Sequence, residues 1–267
     1  MIHIIIATFN SEKTLNQCLS SILEQDFNDY TVFIKDGKST DNTISIINEY
    51  QTKFNGKLNY ISTEDSGVYD AWNMALNYIN DGWVTFLGSD DYLSDNNALT
   101  RVYMHLLNAE KQSIDLVYGK NIIIDDKQEV INELGEDWNI ARNKINQCMS
   151  IRHPGSFCTA KLIKKLNAFD NSFRIIGDYD FILRAIKQTD VYYYNFSIIY
   201  HRTGGLSISP SRTLEVIKET YNLRKKQNLK PYLNIDKLFI KRLILYISSI
   251  FLSDKTILNL MKGFKKR

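Results

Sequence analysis

The sequence predicts an α/β fold, a mostly parallel sheet with helices on both faces, followed by a C-terminal helical tail. Two observations point there. Short apolar runs alternate with amphipathic helical stretches through the first half of the chain, and strands alternating with helices of this length imply right-handed βαβ units. The chain is also long enough, at 267 residues with 44% hydrophobic side chains and 3 Pro, to bury one large core.

Taken in order, residues 2–7 form an apolar strand, and Asn10 or Ser11 is expected to cap a helix carrying Leu15, Leu19, Ile22 and Leu23 on one face. Residues 31–35 form a second strand, followed by Gly37-Lys38-Ser39-Thr40 and a helix with Ile44, Ile47 and Tyr50. Residues 58–62 form a short third strand, and the helix after it places Val68, Ala71, Trp72, Ala75, Leu76 and Ile79 at helical spacing. Residues 83–88 make the next strand, before a helix bearing Leu99, Val102, Tyr103, Leu106 and Leu107. The expected organisation is one α/β domain over residues 1–230, with a ligand-binding half at 1–118 and a second half at 119–230, and a basic amphipathic helical tail over 231–267.

The charged fraction, 24%, is that of a soluble globule rather than a disordered chain. Cys18, Cys148 and Cys158 form no CxxC pair and leave one unpaired in any disulfide scheme, which suits buried thiols in a reducing cytosol. The opening MIHIIIATFN has no basic segment and too short an apolar run for a signal peptide, so it is expected to be a strand. The net charge of +3 is uneven: eight Lys/Arg and one Asp from Lys237 onward give +7, leaving −4 on the residues before them. A mildly acidic body does not suit nucleic acid, whose binders carry basic stripes on the fold itself.

In open α/β sheets ligands sit beyond the carboxyl ends of the strands. The residues delivered there are Thr8-Phe9-Asn10, Asp36-Gly37, Glu64-Asp65 and Ser89-Asp90-Asp91. An acidic rim repels a phosphate unless a cation comes with it. Two adjacent carboxylates after an apolar strand therefore point to magnesium or manganese held by a carboxylate plus substrate phosphate oxygens. Asp91 is expected to touch the metal, leaving Asp90 for a sugar hydroxyl.

The stretches IIIATFNSEKTLNQCLSSILEQ, VFIKDGKSTDNT and EDSGVYDAWNMALNYINDGWVTFLGSDDYL resemble family 2 glycosyltransferases with the GT-A fold, and HPGSFCTAKLIKKL, IIGDYDFILRAIKQ and YHRTGGLS extend the resemblance into the second half. The most similar subgroup builds bacterial capsule, O-antigen and exopolysaccharide. The resemblance implies a nucleotide-sugar donor, UDP- or GDP-linked, and a saccharide acceptor linked to a polyprenyl diphosphate. It places Thr8 and Asn10 against the nucleotide, Asp36 on the base, and Ser89-Asp90-Asp91 on the DXD-type motif, with Ser at its first acidic position. Asp70 and Asn73 line the donor site in this comparison, and His201 is a further metal ligand beside Asp91. Asp178 matches the catalytic base, in a segment that often reads Glu-Asp-x-Asp but here reads Gly177-Asp178-Tyr179-Asp180. Without that Glu, Asp180 stays open as the alternative base.

The implied reaction is a single displacement with inversion, in which a carboxylate takes the acceptor's proton and a metal offsets the departing diphosphate. The alternatives are a nucleotidyltransferase, for which TFNSEKT is a poor Gly-rich loop, and an inactive nucleotide-sugar-binding scaffold. The plainer reading of Ser39, Thr40, Asp41, Ser94 and Asp95 is turns and helix caps, and that of His3 and His105 ordinary strand and helix positions. Trp72 belongs to an apolar helix face, Trp138 to a polar stretch where a ring can stack on sugar, and His153 to either an acceptor pocket or a loop. The apolar run at residues 243–252 is too short to cross a bilayer, which takes about 20 residues. Flanked by Lys241, Arg242, Lys262, Lys265, Lys266 and Arg267, it suits an interfacial helix on anionic lipid or a hairpin packed on protein. The expected location is the cytoplasm, with the inner face of the membrane as the tail's seat.

Overall fold

The computed structural model describes residues 1–203, 209–231, 237–252 and 256. Two compact units divide at Met1–Arg202 and Thr203–Arg267, so the chain changes unit before the boundary expected at residue 230. The helix Thr213–Lys226 accordingly belongs with the C-terminal unit.

The first unit opens with β1 (Ile2–Thr8), α1 (Leu15–Leu23), β2 (Tyr30–Asp36), α2 (Thr43–Lys53), β3 (Leu58–Ser62), α3 (Val68–Leu76), β4 (Trp83–Gly88), β5 (Tyr92–Leu93) and α4 (Ala98–Lys111). It continues with β6 (Leu116–Ile124), β7 (Val130–Leu134), α5 (Trp138–Lys144), β8 (Phe157–Thr159), α6 (Ala160–Lys165), α7 (Gly177–Ala185) and β9 (Val191–Arg202). All strands join one sheet in the order β3-β2-β1-β4-β8-β6-β9-β5, with β7 on β6. The first four strands run parallel, as the alternating pattern predicts. β1 and β4, in the middle of this parallel part, are mostly apolar and buried along nearly their whole length, because helices cover both sides. β8 then pairs antiparallel with both β4 and β6, while β6 and β9 are parallel.

The helices seal the sheet with the stripes read from sequence. Leu15, Cys18, Leu19 and Ile22 of α1 and Leu99, Val102 and Leu106 of α4 are fully buried in one core with Ile2, Ile4 and Ile6. The expected start of α1 is corrected. Neither Asn10 nor Ser11 caps it, and the helix begins after Thr14. Asn10 instead adopts a left-handed backbone (φ 51), which Asn tolerates better than most residues, and turns its side chain toward the next loop. Cys18 and Cys158 are buried free thiols as expected, but Cys148 is exposed.

In the second unit α8 (Thr213–Lys226) follows a short 3₁₀ turn at Pro210–Arg212, and α9 (Lys237–Phe251) comes after it. Lys262, Lys265, Lys266 and Arg267 lie outside the described residues, as does the Gly-Gly of HRTGG. Among the described residues no helix is long and apolar enough to cross a membrane.

Candidate active site

With β4 beside β1 and β2 on β1's other side, the chain reverses its winding between β1 and β4. In open sheets this switch point is where ligands bind. The loops meeting there carry Thr8, Asn10 and Ser11 from β1 and Ser89, Asp90 and Asp91 from β4, and a hydrogen bond between the Ser11 and Ser89 hydroxyls (2.9 Å) ties them together.

Strand register builds the Asp36 centre. Thr8 pairs with Asp36 and Asp36 with Ser62 across three adjacent strands, so two hydroxyls flank one carboxylate. Thr8 Oγ1 donates to Asp36 Oδ1 (3.0 Å), Ser62 Oγ to Oδ2 (2.7 Å) and the Ser39 amide to Oδ2 (3.0 Å), with the Ser39 hydroxyl on Oδ1. Burial works to raise this carboxyl, but the hydrogen bonds from Ser39, Ser62 and Thr8 outweigh it and hold it below the ordinary range. Asp36 is thus a fixed anion whose acceptor sites are filled by its own chain. Ser39, read from sequence as a cap, belongs to this centre, and its hydroxyl also receives the Asn10 amide (2.8 Å) while Asn10 Oδ1 accepts from Thr40 N (2.9 Å). Beneath it, Lys35 is fully buried, donating to Thr63 O and to Asp65 Oδ2 (2.6 Å). That cation in an apolar strand was not singled out in the sequence, and it anchors the loop leading into α3.

The paired carboxylates are also built by register. Tyr92 opposes Tyr200 in the antiparallel β5–β9 pair, so one residue outward His201 stands opposite Asp91. His201 Nδ1 lies 2.9 Å from Asp91 Oδ2, and the Arg202 amide donates to Asp91 Oδ1 (3.0 Å). The Arg202 guanidinium reaches Asp90 O (2.7 Å) and the Gln17 side chain. Asp91 is 2% exposed, whereas Asp90 stands at the surface. Gly88 makes the crowding possible, since a Cβ there would lie 2.8 Å from Asp90 Oδ1 and 2.9 Å from Asp91 Oδ2. Desolvation, then the Asp91 charge, raises the Asp90 carboxyl. For His201 burial disfavours the imidazolium, but the Asp91 hydrogen bond and the Asp91 and Asp90 charges more than offset it, and its pKa is raised. Arg202 went unnoticed in the sequence, although it directly follows His201. Among the described residues no three His, Cys, Asp or Glu side chains converge as a metal cage. A carboxylate and an imidazole side by side are donors that a cation can take while completing its sphere on substrate oxygens, so these residues fit magnesium or manganese.

The two candidate bases separate cleanly. Asp180 is fully buried and ion-paired to Arg184 (2.7 Å), whose other nitrogens donate to Leu166 O and Ala168 O, so its job is to tie α7 to the loop after α6. Asp178, in the first turn of α7, accepts on Oδ1 from the Tyr179 amide (2.8 Å) and the Tyr69 hydroxyl (3.2 Å). Asp178 is half-buried, and its Oδ2 has no hydrogen-bond donor among the described residues. Burial pushes the Asp178 carboxyl up to about 6, against the pull of these hydrogen bonds and the Arg152 charge. Arg152 is within electrostatic reach of both Asp178 and His201.

The remaining candidates hold the site's frame. Asp70 accepts from Ser66 and from Asn171, and Asn73 is spent on Phe169 and Asn171, so both clamp the loop before α7 onto α3. His153 is 4% exposed, stacked between Trp72 (5.2 Å) and Phe86 (5.3 Å), and burial lowers its pKa to about 4. Trp138 stands half-buried at the start of α5.

The model of the family described as Glycosyl transferase family 2 matches residues 3–166. The chain belongs to that family. This glycosyltransferase is 30% identical over 210 residues to a PGL/p-HBAD biosynthesis glycosyltransferase of Mycobacterium tuberculosis, covering 78% of its own length and 79% of the relative. It is 36% identical to the poly(ribitol-phosphate) beta-N-acetylglucosaminyltransferase TarS of Staphylococcus aureus, but over 93 residues, 34% of this chain and 16% of that one. In three dimensions it is similar to TarS residues 1–349 crystallised with UDP-GlcNAc (TM-score 0.66, 18% identity, 92% of this chain and 70% of that one). The mannosyltransferase PcManGT of Pyrobaculum calidifontis, solved with GDP-Man and Mn2+, matches at TM-score 0.65 and 13% identity over 100% of this chain and 80% of that one. The glycosyltransferase therefore has the GT-A fold.

Proposed function

We propose that this glycosyltransferase is a metal-dependent, inverting enzyme that moves a sugar from a UDP- or GDP-linked donor to a saccharide hydroxyl. The observation that carries the reading is Asp178, a half-buried carboxylate with one oxygen tethered by two donors and a pKa lifted toward neutrality. A general base works best with a pKa near the operating pH. Thr8, Asn10, Ser89 and Asp90 line the donor cleft, the fixed charge of Asp36 marks its nucleotide-base end, and Asp91 with His201 would hold the cation. When bound, that cation offsets the charge of the departing diphosphate. Asp178 Oδ2 removes the acceptor's proton as the hydroxyl attacks the anomeric carbon, and with one base and no covalent intermediate the configuration inverts. NMR of the product should show an anomeric centre opposite to that of the donor, and a retained configuration would remove the single-displacement mechanism.

A lipid-linked acceptor in surface polysaccharide or glycolipid synthesis is supported by the relatives' names and by α9. Ile240, Ile244, Ile247, Ile250 and Phe251 are each at least half exposed there. A helix of this kind followed by a basic segment suits the surface of an anionic membrane, where each basic residue contributes about 1 kcal/mol. The full chain should co-sediment with phosphatidylglycerol vesicles and release at high salt, and Ile247→Asp/Ile250→Asp should stay in the supernatant. Equal sedimentation of the variant would move the tail from lipid to protein packing.

A further inference from the structure

Tyr69, at the second position of α3, is 4% exposed, with its ring stacked on Phe169 (5.6 Å) and edge-on to Trp72 (5.5 Å). Its hydroxyl donates toward Ile175 O at 2.8 Å and toward Asp178 Oδ1 at 3.2 Å. The main-chain carbonyl competes well with a neutral carboxyl, but an ionised carboxylate is the stronger acceptor, so this proton should follow the charge on Asp178. Gly177 is what lets the ring approach. A Cβ at that position would lie 2.8 Å from Tyr69 Cδ2 and Cε2, so any side chain there would displace the ring. The glycine at this position thus has a steric reason in this chain.

We propose that Tyr69, seated against Gly177, is a positioning residue for Asp178: its hydroxyl holds Oδ1 so that Oδ2 faces the acceptor, and it favours the ionised form. The inference rests on Asp178 being the base. Among the described residues, the groups acting on that carboxylate are the Tyr69 hydroxyl from α3, the Tyr179 amide and Asp178's own amide from α7 itself, and the Arg152 charge from the segment before β8. Arg152 and the amides remain when Tyr69 loses its hydroxyl, so the change isolates one donor. Removing a donor to the charged form raises the pKa, and the base then stays protonated to a higher pH.

The test is the pH dependence of sugar transfer by Tyr69→Phe, which keeps the stacked ring. The acid limb of kcat/KM should move to higher pH by roughly half a unit, kcat should fall by about five- to tenfold, and the donor KM should not change. A purely structural role would lower activity without moving the limb, and a folded Tyr69→Phe enzyme with the wild-type limb overturns the proposal. Should Tyr69→Phe not fold, Gly177→Ala decides, because its methyl displaces the ring while the hydroxyl survives. The same upward shift is expected, and a folded Gly177→Ala enzyme with an unmoved limb refutes the role. Full activity in Asp178→Asn would instead remove the base itself, an outcome read separately from either variant.

Discussion

Asp178→Asn should lower transfer by about 10²- to 10⁴-fold while leaving donor binding in place, because an amide keeps the shape of the carboxylate but cannot take a proton. With the carboxyl at about 6, wild-type activity should rise as the pH passes through that value. The same shift has a stability consequence of defined sign. The folded pKa lies above the unfolded one, so the contribution of this group is complete at low pH and is lost as the pH rises through about 6. Asp178→Asn is therefore expected to unfold at the wild-type temperature or slightly above it at neutral pH. Asp180→Asn should behave in the opposite way. It leaves the Arg184 guanidinium without its carboxylate and should lose roughly 3 kcal/mol of stability, read by denaturant melts. A stable but inactive Asp180 variant beside a fully active Asp178 variant would transfer the base to Asp180.

Asp91→Asn should weaken manganese-dependent binding of nucleoside diphosphate by about a hundredfold, the scale of losing about 2.8 kcal/mol. The anion at this position is 2% exposed and held from both sides by His201 and the Arg202 amide, so the amide replaces the charge without disturbing the strand register that built the pair. Calorimetry with UDP and GDP in manganese checks it. Unchanged affinity would take the metal away from Asp91.

Much of this was legible in the chain because periodicity and local order carry it. The βαβ alternation located the first four strands to within a residue or two, and with them the rim residues Thr8, Asp36, Ser89, Asp90 and Asp91. What sequence order could not supply was the pairing of distant strands. The contact between His201 and Asp91 depends on the antiparallel β5–β9 register, which brings together residues 110 positions apart. Likewise Tyr69 meets Asp178 across 109 positions, through the loop that Asn73 clamps. Ser39 looked like a cap because hydroxyls near helix starts usually are, and only the turn after β2 reveals that it faces Asp36 instead. Lys35 hid inside an apolar run, where a buried cation is rare unless paired, and its partner Asp65 lies 30 residues away.

The most direct test of the proposed activity is release of nucleoside diphosphate from a panel of UDP- and GDP-sugars, run in manganese and again in a chelator. Release from one donor class in manganese, falling to background in the chelator and in Asp91→Asn, is the expected result. A panel in which no nucleotide sugar is either turned over or bound in manganese would contradict it.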